Sequence, residues 1–170
     1  MRGGQKGPLP KPLHPEGWPR PRGYSYGFSA RGTIVVLSGI VGWNREGLFE
    51  SDDFVAQARQ ALLNILEILG VAGGHREHLV RLTWYVTDMR EYLNRTEDLG
   101  KAYRSVMGNH YPAMSVIEVV RLVDEQAKVE IEATAIIPDS RGFDRGEGGG
   151  DSLRTAGDPG GSDEIKEGIG

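Results

Sequence analysis

Apolar and polar positions alternate along two short early runs, Tyr24–Ser29 and Thr33–Ser38, and predict two β-strands. Ala30-Arg31-Gly32 joins them, a hairpin-type connection with glycine where positive φ is needed. The period then lengthens. Phe54, Ala58, Leu62, Ile65 and Leu69 recur at helical spacing behind Ser51-Asp52-Asp53, an N-cap candidate followed by acids that suit a helix start. Gly70 marks the expected end of that helix. Residues 79–87 read as a strand with Val80, Leu82, Trp84 and Val86 on one face. A second helix is predicted from about Arg90 to Met107, with Tyr92, Thr96, Leu99, Tyr103 and Val106 along one stripe and Gly108 as its stop. Residues 114–121 and 128–137 supply two further strands. The order is β-β-α-β-α-β-β, an α+β class with a mixed sheet. Two helices cannot cover both faces of such a sheet, so both are expected on one face. The other face needs a different partner, most simply further copies of the same chain.

The flanks break this pattern. Six of the nine prolines fall within residues 1–22, and residues 139–170 hold ten glycines with few large apolar side chains. Neither flank buries enough apolar surface to offset the entropy of ordering it, so both are expected to be flexible tails around a domain at residues 23–138. The chain has 170 residues, a formal charge of -4 and a pI near 5.6. That balance argues against broad nucleic-acid binding, which normally goes with clustered basic residues. The absence of cysteine excludes a disulfide scaffold, a thiol nucleophile and a cysteine-based zinc site. No apolar run is expected to approach the roughly 18 residues of a membrane span, and the N-terminus lacks the apolar core of a secretory signal, so a cytoplasmic location is expected.

Four stretches carry a resemblance to a known family: Val36-Leu37-Ser38-Gly39-Ile40; Gln57-Ala58-Arg59-Gln60-Ala61-Leu62 with Asn64; Val80-Arg81-Leu82-Thr83 with Val86-Thr87-Asp88; and Tyr111-Pro112-Ala113-Met114-Ser115 running on to Val129-Glu130-Ile131-Glu132-Ala133. In these, the sequence resembles the RidA/YjgF family of reactive-intermediate deaminases, once also called the L-PSP endoribonucleases, over residues 24–138. The resemblance implies a homotrimer around a central β-barrel with ligand clefts between neighbouring subunits. It also implies cofactor-free hydrolysis of enamines and imines to a keto compound and ammonia. Family members hold the substrate carboxylate with an arginine in Pro-Ala-Arg-Ser/Thr. Here the motif reads Pro112-Ala113-Met114-Ser115, so that anchor is replaced by a thioether. Losing a charge-assisted hydrogen bond costs roughly 10- to 100-fold in affinity. An apolar, adaptable Met114 suits a ligand that is larger or uncharged at this point. Drift in a paralogue without catalysis explains the same change.

Glu130 matches the family glutamate that handles the attacking water. Imine hydrolysis needs a proton at nitrogen and water at carbon, and one partly buried carboxylate can serve both steps. On the residues alone, Lys128, Glu130 and Glu132 equally read as the solvated side of a strand whose other side is Val129, Ile131 and Ala133. Glu118 is the second catalytic candidate, because Met114, Val116 and Glu118 alternate onto one side of their strand; a structural ion pair is its ordinary reading. Ser38 and Gly39 match the family's pocket-lining turn. Tyr24 and Tyr26 lie near its pocket tyrosine, with Ser25 on the formal match, and Trp43 stands in the following loop as a roof or a cover for a subunit edge. The family's pocket asparagine falls near Gly100, a second missing polar contact. His75 and His78 lack a third ligand at clear spacing, so no metal site is assigned. Three readings follow: a cofactor-free deaminase of a labile C=N or C=C intermediate without the usual α-carboxylate; a non-catalytic trimer binding a small molecule in its clefts; and, poorly supported by the charge, a ribonuclease.

Overall fold

The computed structural model describes residues 7–139. The expected C-terminal tail, from residue 140 on, lies outside the described residues. The element order is β1 (Lys11–Leu13), β2 (Gly27–Ser29), β3 (Thr33–Val41), α1 (Phe54–Val71), a single 3-10 turn at Arg76–His78, β4 (Leu79–Val86), α2 (Met89–Asn94), α3 (Thr96–Met107), β5 (Ala113–Glu118) and β6 (Val129–Ile137). Four strands form a mixed sheet in the order β3-β6-β4-β5, with β4 and β5 parallel and the other pairs antiparallel.

The core follows from two periodicities meeting. Along β6, Val129, Ile131, Ala133 and Ala135 are buried while Glu130 and Glu132 face away, the expected period of two. Phe54, Ala58, Leu62, Ile65 and Leu69 of α1 are each about 1 % exposed or less, and Leu99, Tyr103 and Val106 of α3 bury the same side. α1 packs on β3, β6 and α3, so the helices share one face of the sheet. By length and composition α1 equals a short membrane span, with mean hydropathy 1.2 over 18 residues; its apolar stripe is spent on the sheet. The opposite face leaves Ile34 and Val36 of β3 and Ile117 of β5 exposed.

Asp53, rather than Ser51, caps α1: its carboxylate accepts the Ala56 N–H at 2.9 Å. The helix runs one residue past Gly70 before Ala72 closes it. Gln57 is the polar anchor of the core. It is 2 % exposed, donates to the carbonyls of Ser51 and Gln126 at 3.0 Å each, and accepts the Lys128 N–H at 2.8 Å. Asn64, two turns on, donates to the carbonyls of Val41 and Trp43 and fixes the chain leaving β3.

Several expectations are corrected. The run at residues 24–29 does not form a hairpin with β3: Gly27–Ser29 pairs instead with Lys11–Leu13, so a segment assigned to the tail enters a strand pair. Gly32, at φ 149°, still needs to be glycine, because a Cβ there would meet the Ile137 carbonyl. Val80 is only half-buried and Leu79 takes the core position, since the β4–β6 register shifts between Leu79 and Arg81. The second helix is two helices. Arg95 breaks it, with its guanidinium drawn to Asp53 at 2.9 Å and Asp98 at 3.2 Å, which ties the joint to the cap of α1.

Candidate functional site

The strand after Pro112 presents Met114, Val116 and Glu118 to the helix side, opposite Leu82, Trp84 and Val86 of β4. Together with the N-terminal face of α3, Met114 and Val116 line a cavity of about 400 Å³ whose other walls include Tyr24, Trp84, Tyr103 and Tyr111. Ser25 places Tyr24 there. Its N–H donates to the Pro112 carbonyl at 3.1 Å, its hydroxyl to the Tyr111 carbonyl at 2.7 Å, and it bridges to Ala113 beside β5. The tyrosines differ in reach: Tyr24 lines both the Met114 cavity and a neighbouring cleft with Leu13, His14 and His110, whereas Tyr26 lines the cleft and not the cavity, and the two rings meet edge-on at 5.7 Å. There Tyr26 packs edge-on against Trp18 and donates to the Pro19 carbonyl. Tyr103 and Tyr111 stack at 5.4 Å, and Tyr103 donates to the His110 carbonyl. Burial first, and then Tyr111 beside it, pushes the Tyr103 hydroxyl far above its ordinary pKa, so it remains a neutral donor.

A second group gathers across the sheet. The β3–β6 register shifts between Leu37 and Ile40, so Ser38 and Gly39 form an irregularity opposite Glu132, while Glu130 pairs with Val41. The Glu130 carboxylate occupies the space a side chain at 39 would need; a Cβ built on Gly39 would overlap it. Glu132 accepts the Tyr85 hydroxyl at 3.0 Å, and this contact raises the tyrosine's pKa. Asn64 and Gln57 stabilise the arrangement from behind by pinning the ends of β3 and β6.

The structure thus brings Gly39, next to Ser38 in the chain, against Glu130, and separately gathers Met114, Val116 and Tyr24. It does not join the two groups. In one protomer they lie on opposite faces of the sheet, since Glu130 pairs with Tyr85 while Met114 pairs with Leu82. Glu118 shares Met114's side, but its carboxylate accepts the Met89 N–H at 2.9 Å at the start of α2 and is absent from the cavity wall. Trp43 also stays outside that cavity: it is 42 % exposed and pairs with Phe49 across its own loop. His75 contacts Glu77 at 2.7 Å rather than gathering further ligands.

Sequence reasoning missed Trp84, Tyr103, Tyr111, Arg22 and Arg104 as cavity residues. Trp84 and Tyr103 read as ordinary strand and helix residues, and Tyr111 entered only as part of the family stretch ahead of Met114. Arg104 had a visible signal: it sits four residues after Gly100, on the same helix face as the expected gap.

The sequence model of the Endoribonuclease L-PSP family matches residues 19–137, the sheet and all three helices. The chain belongs to the RidA/YjgF family. Among its relatives, a 2-iminobutanoate/2-iminopropanoate deaminase of Salmonella typhimurium is 32 % identical over 108 residues, 62 % of this chain and 80 % of that protein. The Escherichia coli protein of the same name matches at the same level. Among solved structures, the Rid-family protein YyfB of Yersinia pestis superposes with a TM-score of 0.67 at 28 % identity, covering 76 % of this chain and 99 % of that one. The YjgF gene product of E. coli gives 0.55 at 31 % identity, covering 74 % and 98 %.

Proposed function

We propose that this protein is a cofactor-free hydrolytic deaminase of a reactive imine or enamine, with its site completed between copies of the chain in a homotrimer. The observation that carries the reading is the Glu130 carboxylate lodged in the space Gly39 leaves open at a strand irregularity. A carboxylate held there can take a proton from water as the oxygen adds to the C=N carbon. It can return that proton to nitrogen, giving the tetrahedral adduct, and then carry the adduct's hydroxyl proton to nitrogen as the C–N bond breaks, leaving a carbonyl compound and ammonia. The relatives named as iminobutanoate and iminopropanoate deaminases support this chemistry. The exposed apolar face of Ile34, Val36 and Ile117 supports assembly through the sheet.

The substrate differs from that of relatives with an arginine in the motif. Met114 puts a thioether on the wall of an aromatic cavity, which favours an apolar group at that point over an α-carboxylate. Steady-state deamination of a panel of imines generated by amino-acid oxidases tests both parts. Full activity of Glu130→Gln on a turned-over substrate removes the role given to Glu130. Rates on small α-imino acids equal to those of arginine-containing relatives remove the change in specificity.

The second reading, a non-catalytic trimer that binds a small molecule, draws on one observation: within a protomer Glu130 is not on the wall of the Met114 cavity. A ligand retained in native mass spectrometry and unchanged after long incubation selects it.

A further inference from the structure

Met114 removes one cation from the aromatic cavity, yet the cavity is not left without positive charge. Arg104 on α3 and Arg22 on the segment leading to Tyr24 both line it, and no aspartate or glutamate does. Neither guanidinium has an ion-pair partner among the described residues, where other arginines such as Arg95 and Arg45 are paired. Gly100 explains how Arg104 reaches the wall. The guanidinium lies one turn along the helix, with Nη1 3.3 Å from where a Cβ at 100 would stand, so any larger residue crowds it. Two unpaired cations beside a wall of rings, in a chain of net charge -4, form a local field of the opposite sign to the molecule. Trp84 adds a second polar demand. It is 2 % exposed and lines the cavity, and its indole N–H is the buried side-chain polar atom left without a partner among the described residues.

We propose that Arg104, laid across Gly100 and assisted by Arg22, is a relocated anion site, and that the ligand is an organic acid with an apolar body. The body rests against Met114 and Trp84, and the carboxylate sits at the α3 side of the cavity. A planar guanidinium holds a carboxylate through two parallel hydrogen bonds, and it does so without a lysine's cost of locating a point charge. The inference rests on the proposed site being the ligand cavity. It deepens that reading by naming the substrate class: a labile intermediate whose acid group is separated from the reacting carbon by an apolar stretch.

Titration calorimetry on the full chain tests it with 3-phenylpropionate and its neutral amide, 3-phenylpropionamide. The acid is expected to bind at least about 10-fold more tightly than the amide. Arg104→Gln is expected to abolish that preference, Arg22→Gln to reduce it, and Arg104→Lys to keep part of it. Thermal melting shows whether each variant is folded, and the exposed position of Arg104 lets the substitution be made without opening the core. Equal affinity for acid and amide in the natural protein overturns the proposal, as does absence of binding by both or an undiminished preference in folded Arg104→Gln. Turnover is read separately. Acid preference without deamination of any imine leaves the anion site standing and removes the enzymatic reading, whereas deamination without acid preference does the reverse.

Discussion

Glu130 occupies the place that a side chain on Gly39 would fill. The two residues come from paired strands whose register shifts between Leu37 and Ile40, and glycine at 39 is a condition for the carboxylate's position. Gly39→Ala is expected to rotate the glutamate out of its seat while the strands stay paired. A positioned general acid–base contributes about 10²- to 10⁴-fold to rate. The alanine variant is therefore expected to lose at least about 100-fold in kcat with a near-normal melting temperature. Circular dichroism melts beside deamination kinetics check this; unchanged kcat would separate the carboxylate's position from catalysis.

Gln57 is a different kind of buried polar residue, since all its hydrogen bonds go to backbone. Gln57→Leu keeps the volume and strands the Lys128 N–H and two carbonyls. Each buried group left unpaired costs about 1–3 kcal/mol. A loss of roughly 2–5 kcal/mol in unfolding free energy is expected, measurable by urea denaturation with an unchanged m-value. Gln60→Leu is the control: Gln60 donates to the Asn64 side chain and is only half-buried, so less than about 1 kcal/mol is expected.

The register of these two anchors shows what the sequence made legible. The helical spacing from Phe54 to Leu69 and the alternation from Lys128 to Ala133 each bury one side of an element, and burial is the force that fixes such patterns. Glu130, Ser38 and Gly39 followed from family motifs, and of these the structure sets the Glu130 carboxylate against Gly39. Tyr24 and Tyr26 were not separable in sequence, because the choice depends on Ser25 hydrogen bonding to residues 86 and 87 positions away. The pairing of Lys11–Leu13 with Gly27–Ser29 was hidden for a similar reason: three exposed residues among prolines carry no apolar pattern, and their partners are backbone groups. Glu118 was misread because alternation gives the side of a strand and not the backbone N–H, here that of Met89, which reaches it.

Restoring the arginine tests how the cavity selects its ligand. Met114→Arg places a third guanidinium near Arg22 and Arg104, so like-charge repulsion works against it while a new carboxylate partner works for it. Catalytic efficiency toward small α-imino acids is expected to rise about 10- to 100-fold relative to the natural protein, the value of one charge-assisted contact. Competition assays between oxidase-generated imines of alanine and of a large apolar amino acid read this out. A preference that does not move would show that residue 114 does not meet the substrate.

Glu77 supplies a pH signature far from the proposed chemistry. Burial acts to raise its pKa, but hydrogen bonds from Arg76, its own backbone N–H and His75 outweigh that and bring it down from 4.5 to about 2. A carboxyl whose folded pKa is depressed stabilises the fold above the unfolded value and loses that contribution as pH falls through the folded one. The side chain is 39 % exposed, so solvent screening holds the effect to about 1 kcal/mol or less. Glu77→Gln is therefore expected to be slightly less stable than the natural protein at pH 7. The difference should shrink as pH drops below 4.5 and vanish near 2. Parallel thermal melts across that window measure it, and a gap that stays constant with pH would place the effect in packing rather than in charge.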